Sequence, residues 1–361
     1  MLNIDKVKKL VNTAEFIEKY AQGRNFPLNF YCYKVSVENL ANGEYNFNYK
    51  INIVIKYHEI EEINESAVFR VNYGSQMNLE NQLEYEYEAL LYLKDSSFTP
   101  KAIFLDTSKS LIDKDYLVME FLQGRSLDYK IDLDKAANCL AGVHKYNKIR
   151  NFEFIEAENP FEAILDECYS MYQKYLDSDL FDSRVDKRIK LVFNKVESIL
   201  EDKKTSSKEL FNLDKTLINT EVNSSNFIVN NKDCYLIDWE KPIIGEKEQD
   251  LGHFLAPTTS FWKTDIVFNR DEIDSFLYEY YLIYNSLDVQ DKKDDDFIKF
   301  KRKVYDYIIF NCLRGLTWCS MAWVEYNKNE KELINEFTFK KLQGYLNISF
   351  IDNIVENFIN I

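Results

Sequence analysis

The stretch Leu217–Glu240, LINTEVNSSNFIVNNKDCYLIDWE, decides how this chain is read. It parses as strand, tight loop, strand, turn, strand, with Asn, Ser and Asp breaking short apolar runs. Within it Glu221 is followed five residues later by Asn226, and twelve residues after that comes Asp238, inside the apolar run YLIDW. A lone carboxylate buried in such a run is costly unless a metal or strong donors meet it. A carboxylate, an amide and a second carboxylate on hairpin ends are hard oxygen donors of the kind magnesium takes beside phosphate groups.

N-terminal to this stretch, residues 30–72 carry aromatic and β-branched runs (FYCYKVSVENL, EYNFNYKINIVIKY, SAVFRVNY) that read as strands. The turn ANGE around Gly43 separates the first two. Residues 78–94 switch to helical spacing, with Leu79, Leu83, Tyr87, Leu90 and Leu91 on one stripe. KAIFLDTS and DYLVMEFL add two strands, and QGRS marks a turn or linker near residues 122–127. Ahead of all this, Leu2, Val7, Leu10, Val11, Ala14 and Ile17 predict one amphipathic helix within residues 1–29. After Leu127 the pattern is helical: LDKAANCLAGVHKYN, then 160–177, 184–203, 271–286, 294–326 and 333–359, each with a one-sided apolar stripe. The fold class expected is α+β and bilobal. A small antiparallel β lobe with one inserted helix covers residues 1–123. A larger, mainly helical lobe covers 124–361, with the hairpin of the opening stretch at its top. A cleft between lobes is a common place for a ligand.

The 361 residues suffice for two lobes and a sizeable core. The net charge of -15 disfavours nucleic acid and anionic membranes as partners and is compatible with cationic small molecules. Six scattered cysteines without a Cys-x-x-Cys pair read as free, buried thiols of a reducing compartment. The three histidines lie far apart, which speaks against a zinc site; His144 is expected to pack or cap its helix. Without a long apolar run or a signal-peptide core, a cytoplasmic protein is expected. The sequence leaves the oligomeric state open.

Other groups fit phosphoryl transfer, which needs a cover and a cation for the phosphates, a metal ligand and a base or orienter for the acceptor hydroxyl. Gly43 at a hairpin tip, with Asn46 after it, can bring backbone amides to phosphate oxygens. Arg70 sits mid-strand between apolar neighbours and needs a wet or paired environment; Glu86 on the following helix is a candidate partner. The backbone at Glu120 and Phe121 ends an apolar strand at the lobe junction and can meet an adenine edge. Asp250, in EQDLGHFL, can brace the loop or cap the helix beginning there, the cap being preferred. Trp262, Trp318 and Trp323 can stack on a cation, though core filling is the preferred reading.

The order of these elements is the protein-kinase-like layout, and the chain resembles the aminoglycoside phosphotransferase and choline kinase superfamily over roughly residues 36–255. NTEVNSSNFIVNNKDCYLIDWE is similar to the family's His-Gly-Asp-x-x-x-x-Asn loop followed by a strand ending Ile-Asp-Trp/Phe-Glu. YLVMEFLQGRSL looks like the family hinge, LAGVHKYN like its helix ending Leu-His, and LRGLTWCSMAWVEY like aromatic helices on the substrate side. The resemblance implies a kinase using ATP or GTP with Mg2+ to phosphorylate a hydroxyl of a small molecule. Asp238 and Asn226 would hold the metal, Arg70 would replace the usual Lys with Glu86 as its partner, and Gly43 would lie in the phosphate-covering loop. Glu120 and Phe121 would face the base, and Asp250 would match a family Asp after the metal-binding strand. Two departures stand out. The family His is Asn219, and the catalytic Asp is Glu221, whose extra methylene displaces the carboxylate by about 1 Å, enough to cost about 100-fold in rate. Glu221 is expected to orient the acceptor hydroxyl and take its proton. The alternative is a nucleotide-binding pseudokinase with a regulatory or structural role.

Overall fold

The alternation of residues 32–72 becomes three long strands, β1 (Cys32–Asn42), β2 (Asn46–Lys56) and β3 (Ile63–Asn72). A computed structural model of the chain describes residues 4–42, 46–75, 77, 79–110, 112–146, 152–156, 159–205, 215–288, 295–328 and 336–360. Gly43 and Leu2 therefore lie outside the described residues. The chain divides into two units: Met1–Arg125 with Lys148–Phe154 and Ile228–Pro242, and Ser126–Asn147 with Ile155–Phe227 and Ile243–Ile361.

In the first unit, the helices α1 (Ile4–Val11) and α2 (Ala14–Gly23) precede the sheet. The single helix expected here is two. Thr13 ends the first and caps the second, its Oγ1 accepting the Phe16 amide at 3.3 Å. Asn12 leaves the helical path to bond both the Val35 amide and carbonyl, at 3.0 and 2.9 Å. Beyond β3 come α3 (Gln82–Tyr92), β4 (Ala102–Asp106), β5 (Tyr116–Glu120) and the two-residue β6 (Arg125–Ser126). The sheet order is β1-β2-β3-β5-β4, antiparallel throughout. The period of two places Ala67, Phe69 and Val71 of β3 on the face that packs with Val7, Leu10, Phe16 and Ile17 of α1 and α2. Arg70 therefore points to the opposite face.

The second unit holds α4 (Leu133–Lys145), α5 (Pro160–Leu176), α6 (Ser183–Thr205) and β7 (Lys215–Ile218). A short turn, Ser224–Asn226, then leads to β8 (Phe227–Val229) and β9 (Cys234–Leu236). Residues 228–242 group with the first unit, so β9 and the residues after it are not part of the helical body as the sequence suggests. The chain returns through β10 (Ile243–Glu246), antiparallel to β7 with Ile243 opposite Ile218. It continues as α7 (Lys247–Leu255), α8 (Pro257–Thr264), α9 (Arg270–Asn285) and the long α10 (Asp295–Asn327). The last helical stretch is broken into α11 (Glu336–Tyr345) and α12 (Ile348–Ile354), because Asn347 caps the latter by accepting the Ser349 amide. Among the described residues, no helix is long and apolar enough to cross a membrane. Five cysteines are free and buried, but Cys32 is exposed.

Candidate functional site

The first unit gathers its functional groups around Arg70. Register puts Arg70 opposite Asn48 on β2 and Leu117 on β5. Its Nε donates to Asn48 Oδ1 at 2.9 Å, its Nη1 to Glu86 on α3, and its Nη2 to Asp238 Oδ1 at 2.9 Å. Burial works against the charged guanidinium, but Glu86 and Asp238 outweigh it and hold Arg70 above its ordinary value. Arg70 and Glu86 are buried, while the Asp238 side chain keeps 28% exposure. Asp238 lies two residues past β9 with φ 64°. That left-handed backbone is strained for a residue with a Cβ and is held only where its surroundings over-determine it.

Those surroundings are supplied by the next two residues. Trp239 is fully buried, its indole donating to the Leu236 carbonyl at 3.0 Å. The Glu240 carboxylate accepts the Asn46 amide, and its carbonyl accepts Gln82 Nε2 at 2.6 Å. Asn46 is buried and its oxygen accepts from Asn72 at 2.9 Å. Its side chain is thus a strut between the start of β2 and the Asp238 segment, and not a group turned toward phosphates. At the end of β5, the Glu120 amide donates to the Lys101 carbonyl at 2.9 Å, so it is not available to a base. The ring of Phe121 carries Lys50 Nζ 4.4 Å from its centroid.

The second unit builds a braced loop. Asp250 is fully buried, and its two oxygens accept the amides of Asn219 and Thr220, each at 2.8 Å. The preference for a helix cap is therefore corrected: Glu246 holds the N-cap position of α7 without a side-chain cap bond, and Asp250 lies beyond it in the first turn with its carboxylate on the loop. Two amides converge on one carboxylate because Thr220 has φ 70°, the second left-handed non-glycine residue in this region. His144 neither caps nor merely packs. Its Nε2 lies 3.2 Å from Asp250 Oδ2 and its Nδ1 2.9 Å from the Tyr280 hydroxyl. Asp250 only accepts when ionised, so Nε2 donates and the Tyr280 hydroxyl donates to Nδ1 in the neutral ring. Asn219, in the place of the family His, accepts the Glu221 amide at 3.2 Å. The Glu221 carbonyl accepts both Asn223 Nδ2 and Asn226 Nδ2 at 2.9 Å. The Asn226 NH2 is thereby committed to the loop, which leaves its oxygen as the acceptor.

Helix α7 is anchored to α10 by buried charge. Lys303 Nζ is 2.6 Å from Glu246 Oε1, and the Tyr307 hydroxyl donates to Glu246 Oε2 at 2.7 Å. The helices approach closely at Gly252, where a Cβ would overlap Tyr307. The next residue, His253, reaches Asn311 on α10, Nδ1 to Oδ1 3.1 Å. One turn further, Arg314 grips Glu167 of α5 with two donors at 2.8 and 3.3 Å. The tryptophans are not simply core. Trp239 is, but Trp318 is 37% exposed and meets Trp262 edge-on at 5.4 Å. Trp323 is half-buried and stacks on Phe339 at 5.2 Å. Among the described residues no group of three or more His, Cys, Asp or Glu is placed to hold a metal.

Sequence reasoning paired Arg70 with Glu86 and placed Glu221 and Asn226 on one loop, but it did not pair Asp238 with Arg70. It missed Asn48, Glu240, His253 and Arg314. Glu240 had a signal in the Asp-Trp-Glu ending; the others had none.

Residues 57–282 match the model of a family described as the phosphotransferase enzyme family. No curated protein sequence gives a significant match. A Ralstonia eutropha JMP134 protein assigned provisionally to the aminoglycoside phosphotransferases is 13% identical, with 98% of this chain and 99% of that one covered and a TM-score of 0.64. Choline kinase from Cryptosporidium parvum Iowa II is 13% identical, with coverage of 90% and 91% and a TM-score of 0.58. The amicoumacin kinase hAmiN, solved with AMP-PNP, Ca2+ and Ami, is 13% identical, with coverage of 97% and 96% and a TM-score of 0.55.

Proposed function

The chain belongs to the phosphotransferase enzyme family, and from that premise we propose that it transfers the γ-phosphate of ATP or GTP to a hydroxyl of a small molecule. The observation that carries this reading is the Arg70–Glu86–Asp238 triad. A buried cation is held between a helix carboxylate and a strained, partly exposed aspartate. Such an arrangement gives phosphate a fixed cationic partner and presents a carboxylate oxygen to a metal. The kinase with AMP-PNP and Ca2+ supports a nucleotide and a divalent ion on this fold.

Each of two residues, taken by itself, offers a donor that suits magnesium. Asp238 offers a hard carboxylate, and Asn226 offers an amide oxygen whose NH2 is already committed to the Glu221 carbonyl. Magnesium favours one or two such protein ligands and completes its shell with waters and phosphate oxygens. When bound, it would neutralise charge on the terminal phosphates. The protein's own part is positional. Arg70, braced by Glu86 and Asn48, steadies phosphate oxygens. With the Glu120 amide taken by the Lys101 carbonyl, the Glu120 carbonyl and the Phe121 backbone are what that segment offers the base. Glu221 orients the acceptor hydroxyl, its backbone set by Asn219 and by the Asp250 brace. These fixed contacts let the loop hold a carboxylate one methylene longer than the family's. Acceptors carrying a cation suit the chain's acidic charge and the Trp262–Trp318 face.

The test is transfer of labelled γ-phosphate into pooled amino alcohols, sugars, nucleosides and aminoglycosides, with Glu221→Ala beside the native chain. Product from the native chain alone is expected. Equal transfer by the variant would remove Glu221 from this role. Magnesium-dependent nucleotide binding with no product in any pool would favour the pseudokinase.

A further inference from the structure

We propose that His253 is the group that receives the acceptor's hydroxyl hydrogen, through its Nε2, with Glu221 orienting the same hydroxyl. The proposal rests on the phosphotransferase reading and adds a base to it.

The geometry begins at Asn311. Its Nδ2 donates to the Tyr307 carbonyl at 2.8 Å, which fixes the amide orientation and leaves Oδ1 as an acceptor. His253 Nδ1, 3.1 Å from that oxygen, must therefore carry a hydrogen. In a neutral imidazole the other nitrogen, Nε2, is then a bare acceptor. The fixed tautomer is the one a general base needs. His253 is half-buried on α7, one turn after Asp250, so the helix that braces the loop also carries this ring.

The charged neighbours favour a neutral resting state. Burial lowers the affinity of the ring for a proton, and Arg314 of α10 lowers it further. Asn311 of α10, Glu221 of the loop and Asp250 of α7 oppose this without reversing it. Arg314 is itself kept charged: burial is outweighed by Glu167 of α5, with Glu221 contributing. At neutral pH the ring is therefore unprotonated and ready to accept, while Glu221 and Asp250 steady the imidazolium that forms. In the step, the acceptor oxygen bonds to the γ-phosphorus and the bond from that phosphorus to the bridging oxygen breaks. The electron pair leaves with the nucleoside diphosphate, and the hydroxyl proton moves to Nε2. The family loop holds Asp where this chain has Glu221. A second group on the acceptor is a physical reason why the longer carboxylate need not do both tasks.

Two measurements on the full chain test this. Nitrogen NMR of 15N-histidine-labelled protein, with His58, His144 and His253 assigned by substitution, should show His253 protonated on Nδ1 and bare on Nε2 at pH 7. An Nε2–H tautomer or an imidazolium at that pH overturns the proposal. Next, His253→Asn keeps an amide donor for Asn311 but lacks Nε2. With magnesium and ATP, using water and the pooled acceptors, kcat should fall about 100-fold with KM for ATP unchanged. The acid limb of the native pH profile, set below the ordinary histidine value, should be lost in the variant. An unchanged kcat sinks the role of His253. A native chain that binds neither ATP nor GTP would instead sink the phosphotransferase reading, which a nucleotide titration separates. Bound ATP that no acceptor discharges would overturn both.

Discussion

Asp250→Asn is the perturbation from which the braced loop is most directly judged. The native carboxylate is fully buried and accepts two backbone amides at 2.8 Å and His144 Nε2 at 3.2 Å. An amide in its place keeps one oxygen and turns an NH2 toward a neighbour that is itself a donor. At least one buried N–H is left unmet, at about 1–3 kcal/mol, and the charge assistance on the others is lost, at about 1 kcal/mol each. Loss of the anion also removes the reason for His144 to donate. The sum is about 3–5 kcal/mol, within the range for breaking a buried charged network. Urea denaturation followed by circular dichroism measures it, read at constant slope so that the compactness of both end states is unchanged. Because the contacts fix the left-handed Thr220, the surviving folded fraction should also transfer phosphate about 100-fold more slowly while binding nucleotide normally. A loss below about 1 kcal/mol, with transfer intact, would refute the argument that Asp250 holds the loop.

The remaining predictions concern the first unit. Arg70→Ala should destabilise by about 3–5 kcal/mol, because Glu86 is left buried without its cation, and denaturant midpoints check it. Arg70→Lys should keep the charge but fail to reach Asn48, Glu86 and Asp238 together, so nucleotide affinity should fall about 10-fold by titration calorimetry. Asp106 is buried against ionisation, but Lys19, Ser108 and Tyr116 reverse this and hold its carboxyl at about 2. Its folded value is depressed, so it stabilises above its unfolded value near pH 4 and that contribution, about 1 kcal/mol after solvent screening, is lost as the pH falls toward 2. Asp106→Asn should flatten stability over that window in acid titrations. Asp238→Ala should abolish the gain in nucleotide affinity on adding magnesium, measured by fluorescence titration.

How much could be read in advance follows from how local each signal is. Arg70 and Glu86 are 16 residues apart on a strand and the helix after it, and a buried cation advertises its need for a partner. Glu221 and Asn226 share one loop, and Asp238 lies on the next strand's exit. By contrast, Asn46 meets Glu240 across 194 residues and His144 meets Asp250 across 106. Asn and His side chains satisfy themselves in many ways, so nothing local selects those partners. The left-handed turns at Thr220 and Asp238 were illegible for another reason: β-branched Thr disfavours that backbone and Asp adopts it only occasionally, so the tertiary bonds around them decide it. The break at Asn12–Thr13 was legible as an N-cap motif, yet the apolar stripe continuing through it masked the cap. Partial exposure of Trp318 depends on which face α10 leaves open, and an aromatic stripe does not carry that information.

The central claim is that the triad around Arg70 and the braced loop serve phosphate transfer. The most direct measurement is passage of labelled γ-phosphate from ATP, and separately GTP, into pooled hydroxylated acceptors with magnesium, run on the native chain and on Asp238→Ala. The account predicts a labelled product from the native chain that disappears in the variant. Product persisting at the same rate in Asp238→Ala would contradict it.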